Sequence, residues 1–485
     1  MARALPSARM QNDLHVNRGA PETQDAGQKD PYSMTQTSPR SAIELDEAYR
    51  HSTQDACRPR DLLADEVAQR RESGYDVDDV VRAANATDPD DRAALLALVD
   101  AMGDSRRLPG WAYEEPDALE DIRAAVDPAP AIAADSDGYP DKVHAGWLGR
   151  IAGCNLGKPV EQGDIWTAER IREYLVLADA YPLTDYFPVL DPMPEGFEFL
   201  ENWPETTRGR VNGSARDDDI DYSLLALHLL ETHGRALRPE HVGEAWTTLF
   251  PLLQTYTAER AAYINLVGGL RVPQVARFRN PYREWIGAQI RGDVFGYVNP
   301  GDPWAAAALA YQDAALSHTG NGVYGEMWAA ALVAGAFTAS DAAGTVEAAL
   351  TVVPPRSRLH EAVSHVLRLR SEGATWEAAL TEIRSAYGHY SWVHTINNAA
   401  AVTAALLWSD GDYTSAVGKV VMSGWDTDSN GATVGSVAGI LTGTTALPAH
   451  LIEPLNDRTR SALFGFDNSV ISDLAARTVR LAQAG

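Results

Sequence analysis

The stretch GWDTDSNGATVG, Gly424 to Gly435, sets two carboxylates and two hydroxyls (Asp426, Thr427, Asp428, Ser429) in consecutive positions ahead of a glycine-dotted apolar run. Polar cap residues before an apolar run mark the mouth of a buried helix. Two like charges at that mouth, two residues apart, have two explanations. They cap the helix in water, or a cation sits between them.

A second acidic cluster bears on the choice. SARDDDIDYSLLALHLLE, beginning at Ser214, places Asp217, Asp218, Asp219 and Asp221 just before a helix carrying Leu224, Leu225 and Leu229. One aspartate in a first turn stabilises the helix dipole and caps free N–H groups. Three in succession repel one another, and one cap needs only one of them. Two such mouths in one chain set a shared divalent site beside simple capping, and oxygen-only ligands select Mg2+, Mn2+ or Ca2+ over zinc.

Two glycine ridges flank these motifs. In AGWLGRIAGCNLGKPVE, Gly146, Gly149, Gly153 and Gly157 are spaced 3, 4 and 4; in SNGATVGSVAGILTG, Gly431, Gly435, Gly439 and Gly443 are spaced 4, 4 and 4. Each glycine in a helix interior costs about 1 kcal/mol against alanine, so the ridges need a compensating contact. Aligned on one face, they let two backbones approach closely. The expectation is two central helices packed ridge against ridge with their ends meeting. A lone Glu161 at the end of the first ridge reads as solvated, unless the ridge delivers it to the acidic clusters.

The bulk properties narrow the partners. The chain has 485 residues, 45% hydrophobic and 22% charged, and its 41 basic against 67 acidic residues leave a net charge of −26. That balance argues against nucleic acid and anionic membranes as partners, though a bound divalent ion can still invert the local field for a phosphorylated ligand. Two cysteines, Cys57 and Cys154, fit no metal-ligand spacing, and no apolar run is long enough for a membrane span. A cytoplasmic location is expected.

Four regions follow from composition. Residues 1–40, rich in Pro, Ser, Gln, Asn and Asp, read as a disordered tail. Residues 41–135 read as a helical extension, from the three- and four-residue apolar spacing in DLLADEVAQRRESG and DDRAALLALVDAMGD, ending in a Pro/Ala/acid linker. Residues 140–450, dominated by Ala, Gly and Leu, predict an all-α domain, and 451–485 end in one amphipathic helix. Within the domain, SHTGNG (Ser317–Gly322) is a polar, glycine-flanked loop entering an apolar helix. It reads as an ordinary turn or as a cradle of N–H groups for phosphate, and His318 as a structural histidine or a ligand contact. SWVHTINNAAAV adds Trp392, His394, Asn397 and Asn398 at the entry of another Ala-rich helix.

Taken together, these stretches resemble the ADP-ribosylglycohydrolase family, which includes dinitrogenase reductase-activating glycohydrolases and ADP-ribosyl-arginine and ADP-ribosyl-serine hydrolases. The family shows a glycine-ridged opening helix ending in Pro-x-Glu, an acidic Thr-Asp-Asp-Thr-like motif, a glycine-rich substrate loop and a late Gly-Gly-Asp-Thr-Asp-[Thr/Ser] motif. GKPVE, RDDDI, SHTGNG and GWDTDS take these places in order over some 310 residues. The resemblance implies an all-α fold with two Mg2+ (or Mn2+) ions in a central cleft. It implies metal-ligand roles for Asp217, Asp218, Asp219, Asp426, Asp428 and Ser429, with Asp218 and Asp428 bridging, and a gating or catalytic role for Glu161. His318, Gly320, Asn321 and Gly322 become substrate contacts, and Trp425 and His394 line the same site. The implied substrate is an ADP-ribosylated protein or an ADP-ribose-containing small molecule. Hydrolysis of a nucleoside or NAD-derived metabolite, or non-catalytic ADP-ribose binding on the same scaffold, are the alternatives.

The chain departs from the family pattern in places. The first acidic motif lacks both threonines. Matching the first threonine to Asp217 makes Asp217, Asp218 and Asp219 the ligands; matching it to Arg216 leaves Asp217 and Asp218. The first register is favoured because it keeps Tyr222 at an apolar family position. Trp425 replaces the commoner glycine, and Cys154 stands where aspartate is frequent.

Overall fold

A computed structural model describes residues 59–484. The expected tail and the start of the extension, to residue 58, lie outside the described residues. The first helix that frames the site is α1 (Pro59–Glu72), followed by α2 (Tyr139–Gly157), α3 (Asp218–His233) and α4 (Asn321–Ala336). Then come α5 (Arg358–Ser371), α6 (Thr395–Leu407), α7 (Tyr413–Met422), α8 (Thr427–Thr442) and α9 (Ile471–Ala484). The architecture is all-α; the one hairpin among the described residues pairs Arg458–Thr459 with Ser469–Val470, antiparallel, just before α9.

The glycine ridges meet. A Cβ on Gly149 would strike the Gly435 carbonyl, one on Gly153 the Gly431 carbonyl, and one on Gly157 the Thr427 carbonyl; Gly439 stands likewise against Ala145. Rising numbers on α2 therefore face falling numbers on α8, and the pair is antiparallel. The C-terminal end of α2 lies against the N-terminal mouth of α8, where the Thr427 hydroxyl donates to the Gly157 carbonyl at 2.9 Å. Only glycine permits this backbone-on-backbone contact, which supplies the compensation that the ridges require.

Around this pair the Ala-rich sequences form helices buried on every side. All residues of α4 and α6 are buried, which small side chains allow because neighbours close in from all directions. The amphipathic α9 packs on α2 and α3, and α7 packs on α8. These contacts fix the positions of both acidic mouths.

Residues 59–104 hold a small core of their own, Leu62, Leu63, Val67, Leu95, Val99 and Met102, with Asp91 capping its helix through a 3.0 Å bond from the Ala94 N–H. Toward the main body α1 presents a polar face. Tyr282 donates to Asp65 at 2.7 Å, Arg283 pairs with Glu66 at 2.7 Å, and Gln69 donates to Glu284 at 2.8 Å. An extended strap then carries Glu115 to Arg358 (2.8 Å) and Asp117 to Arg277 (2.6 Å).

Candidate metal centre

Both acidic mouths open onto the α2–α8 contact. At the first, Asp217 caps α3 by accepting the Asp219 N–H at 2.9 Å, which leaves its other oxygen toward the cleft. At the second, the chain turns through positive φ at Gly424 (+73°) and Trp425 (+62°) to bring Asp426 to the start of α8. Asp426 makes no side-chain cap bond; its own N–H is held by the Asn398 side chain at 3.2 Å. Capping in water therefore does not account for Asp426.

Candidate ligand atoms gather in two groups, each within 4.8 Å: Cys154, Asp217, Asp219 and Asp428 in one, Glu161, Asp426 and Asp428 in the other. Asp428 is common to both. All are buried except Glu161, whose side chain is 26% exposed and so opens the cleft to solvent. Asp219 Oδ1, Asp426 Oδ1 and Asp428 Oδ1 are buried and accept no hydrogen bond from any described residue. Orphaned, buried carboxylate oxygens at this density suit a hard divalent cation. Cys154 adds a softer donor, its Sγ 4.0 Å from Asp219 Oδ2.

The ammonium of Lys158, three residues before Glu161, also enters the cleft. It lies 2.5 Å from Glu161, 2.5 Å from Asp217 and 2.9 Å from Asp428. Burial works against its charge, but Asp217, Asp428 and Glu161 outweigh that and hold Lys158 protonated well above the usual lysine range. Burial likewise opposes ionisation of Asp217, and the neighbouring Lys158 reverses the balance and lowers it. Burial and the adjacent Asp217 push Asp218 up to about 7. Asp219, Asp426 and Glu161 rise well above the carboxylate range, through burial first and like charge second, with Asp217 acting on Asp219 and Asp428 on the other two.

The other predicted residues separate. Asp218 is partly exposed and belongs to neither ligand group, so Asp428 is the carboxylate that spans both. Asp219 is inside the first group with Asp217, a pair that neither register of the acidic motif gives by itself. Ser429 is buried beside Asp426. Asp221 turns away to Arg216 (2.7 Å) and to the Ser461 hydroxyl (2.6 Å). Trp425 is buried, with the Arg384 guanidinium 5.3 Å from its ring centroid.

The SHTGNG loop forms an anion cradle whose anions are the chain's own. Gly320 N–H donates to Asp117 at 2.8 Å and Asn321 N–H to Glu284 at 3.0 Å, while the Asn321 side chain donates to Glu115 at 2.8 Å. Gly322 packs so tightly that a Cβ there would strike the Arg283 carbonyl. His318 is buried against Ser317 (2.8 Å), and burial with Arg291 nearby keeps it neutral. For a substrate phosphate to use these amides, both the strap at 115–117 and the Glu284 carboxylate would have to leave. His394 caps α6 by accepting the Ile396 N–H at 3.2 Å, and burial lowers it to about 3.

An all-α scaffold that locks two helix mouths together and gathers orphaned carboxylates between them defines a helical protein with a candidate two-cation cleft. A family model described as ADP-ribosylglycohydrolase matches residues 135–484, and the chain belongs to that family. Among solved structures it is similar to an "ADP-ribosylglycohydrolase-related protein complex", at 21% identity and a TM-score of 0.41, over 72% of this chain and 99% of that one. No curated protein matches it. No helix among the described residues is long and apolar enough to cross a membrane.

Proposed function

We propose that this protein is a metal-dependent glycohydrolase that cleaves an ADP-ribosyl linkage at ribose C1 and releases ADP-ribose from a modified protein or small molecule. The observation that carries this reading is the pair of carboxylate groups sharing Asp428 beside the solvent-reachable Glu161. Asp217, Asp219, Asp426 and Asp428 would hold the ions, with Ser429 in support. Divalent ions bound there supply charge to orient ribose hydroxyls and to acidify a water.

The chain's own contribution is proton handling and exclusion of water. As the C1–N or C1–O bond breaks, its electron pair leaves with the departing atom, and a water oxygen bonds to C1. Glu161, the member of the two groups that reaches solvent, would give a proton to the departing atom and regain one from the attacking water. The helix walls behind Asp426 and Asp428 keep bulk water to the Glu161 side.

The test is release of free ADP-ribose from Arg-linked and Ser-linked ADP-ribosyl proteins, ADP-ribosyl nucleosides and NAD, with Mg2+, with Mn2+ and with EDTA. Metal-dependent release from one linkage is expected and names the substrate. Binding of ADP-ribose without release from any substrate would overturn hydrolysis in favour of a binding role.

A further inference from the structure

We propose that Lys158 is a resident cation filling one of the two cation positions of the acidic cleft, so that this chain holds one divalent ion where its carboxylates could surround two. The inference rests on the metal-binding half of the proposed function and departs from the two-ion expectation.

The geometry is specific. All three acceptors of the ammonium are candidate ligands: Asp217 from the first group only, Glu161 from the second only, and Asp428 from both. The ammonium thus lies across the position that two bridged ions would share. Its backbone cannot withdraw, because Gly157 is locked against the Thr427 carbonyl and the Asp428 N–H. The side chain is 13% exposed, so the charge stays in the cleft. Asp219 Oδ1, Asp426 Oδ1 and Asp428 Oδ1 remain without a hydrogen-bond partner among the described residues. Those oxygens are what an incoming ion can still claim. A second ion would have to share Asp428 with a fixed positive charge, and like charges at that separation repel strongly where water is scarce.

The experiment counts ions on the full chain. Equilibrium dialysis against Mn2+, elemental analysis and low-temperature electron paramagnetic resonance report stoichiometry and spin coupling. The wild type is expected to bind one Mn2+ with the resolved hyperfine pattern of an isolated ion. Lys158→Met is expected to bind two, exchange-coupled through Asp428, while Lys158→Arg keeps one. A coupled pair in the wild type overturns the proposal, as does the absence of bound Mn2+. So does a Lys158→Met chain that is folded by circular dichroism and still binds one. Should Lys158→Met fail to fold, the wild-type count and Lys158→Arg decide. One isolated ion without ADP-ribose release would sink the proposed hydrolysis and leave this inference standing.

Discussion

Gly153→Ala tests the central contact, and Gly335→Ala supplies its control. Both substitutions replace a buried helical glycine, and each gains about 0.5–1 kcal/mol from reduced freedom of the unfolded chain and better helix propensity. Their surroundings differ. A Cβ at Gly335 would meet the Ala348 Cβ and the Thr345 carbonyl oxygen at 3.6 Å, an ordinary contact. A Cβ at Gly153 would land on the Gly431 carbonyl, with the Ala432 nitrogen at 3.4 Å, and no side chain is there to rotate away. The α2 and α8 backbones would have to separate by about 1 Å, forfeiting a good part of the contact energy along the ridge. Overpacking against backbone costs about 3 kcal/mol, the upper end of the usual range. Net, Gly153→Ala should lose about 2 kcal/mol and Gly335→Ala should gain about 0.5–1 kcal/mol. Urea unfolding followed by circular dichroism reads the difference as midpoints displaced in opposite directions. The separation would also carry the Lys158–Glu161 end away from Asp428, so the Mn2+-induced rise in Tm should shrink in Gly153→Ala alone. Equal shifts in the two variants would show that the ridge contact is not what makes Gly153 obligatory.

Three further outcomes follow from the buried charges. In EDTA, Asp426→Asn should leave Tm nearly unchanged, because burial and Asp428 already hold that carboxyl well above the carboxylate range; with excess Mn2+ the wild type should gain about 3 kcal/mol at a hundredfold Kd, and the variant should lose most of that gain. A variant whose metal-induced shift matches the wild type would remove Asp426 from the ligand set. Glu259, buried beside Arg291 and Asp313, is pushed up from the usual 4.5 to about 7, mainly by burial. Between those values the folded chain binds more protons than the unfolded one. The contribution is therefore full below about pH 4.5 and lost by about 7, amounting to about 3 kcal/mol. Glu259→Gln should flatten that part of the profile in urea titrations, and identical slopes would refute the assignment. Arg358, 4% exposed between Glu115 and Glu284, should cost about 3–5 kcal/mol as Arg358→Ala, since two buried carboxylates lose their partner. Limited proteolysis should then cut the strap near Glu115 first, and an unchanged digestion pattern would count against that role.

Features carried by local spacing were legible in the sequence. The ridge period predicted the α2–α8 contact, the polar-to-apolar steps located both helix mouths, and the Ala-rich runs marked the helices buried all round. Features carried by tertiary proximity were not. Glu115, Glu284 and Arg358 are far apart in the chain, and nothing near any of them signals that they meet under the SHTGNG loop. The loop was legible as an anion cradle, yet its occupants come from residues 115–117 and 284. Asp221 belongs to the same acidic run by sequence, but Ser461, 240 residues away, holds it. Lys158 did carry a signal: it stands three residues before Glu161 at the end of a helix, the spacing at which opposite charges pair.

That lysine bears on how such a cleft can fold at all. Gathering six carboxylates (Glu161, Asp217, Asp218, Asp219, Asp426 and Asp428), four of them buried, without counter-charge would cost more than a marginally stable chain can absorb. Part of the burden is lifted by protonation, as the raised carboxyls show. Fixed cations lift more of it. Lys158 holds three of the six, Arg216 faces Asp217 and Asp218, and Arg150, paired with Asp293 at 2.8 Å, donates to the Asp219 carbonyl. A chain so equipped reaches its native state before any divalent ion arrives. Metal binding is then an exchange at a folded site rather than a condition of folding. The consequence is measurable: with EDTA the protein should keep its helical circular dichroism while losing only the metal-dependent part of its Tm, and collapse of the helical signal on chelation would refute the argument.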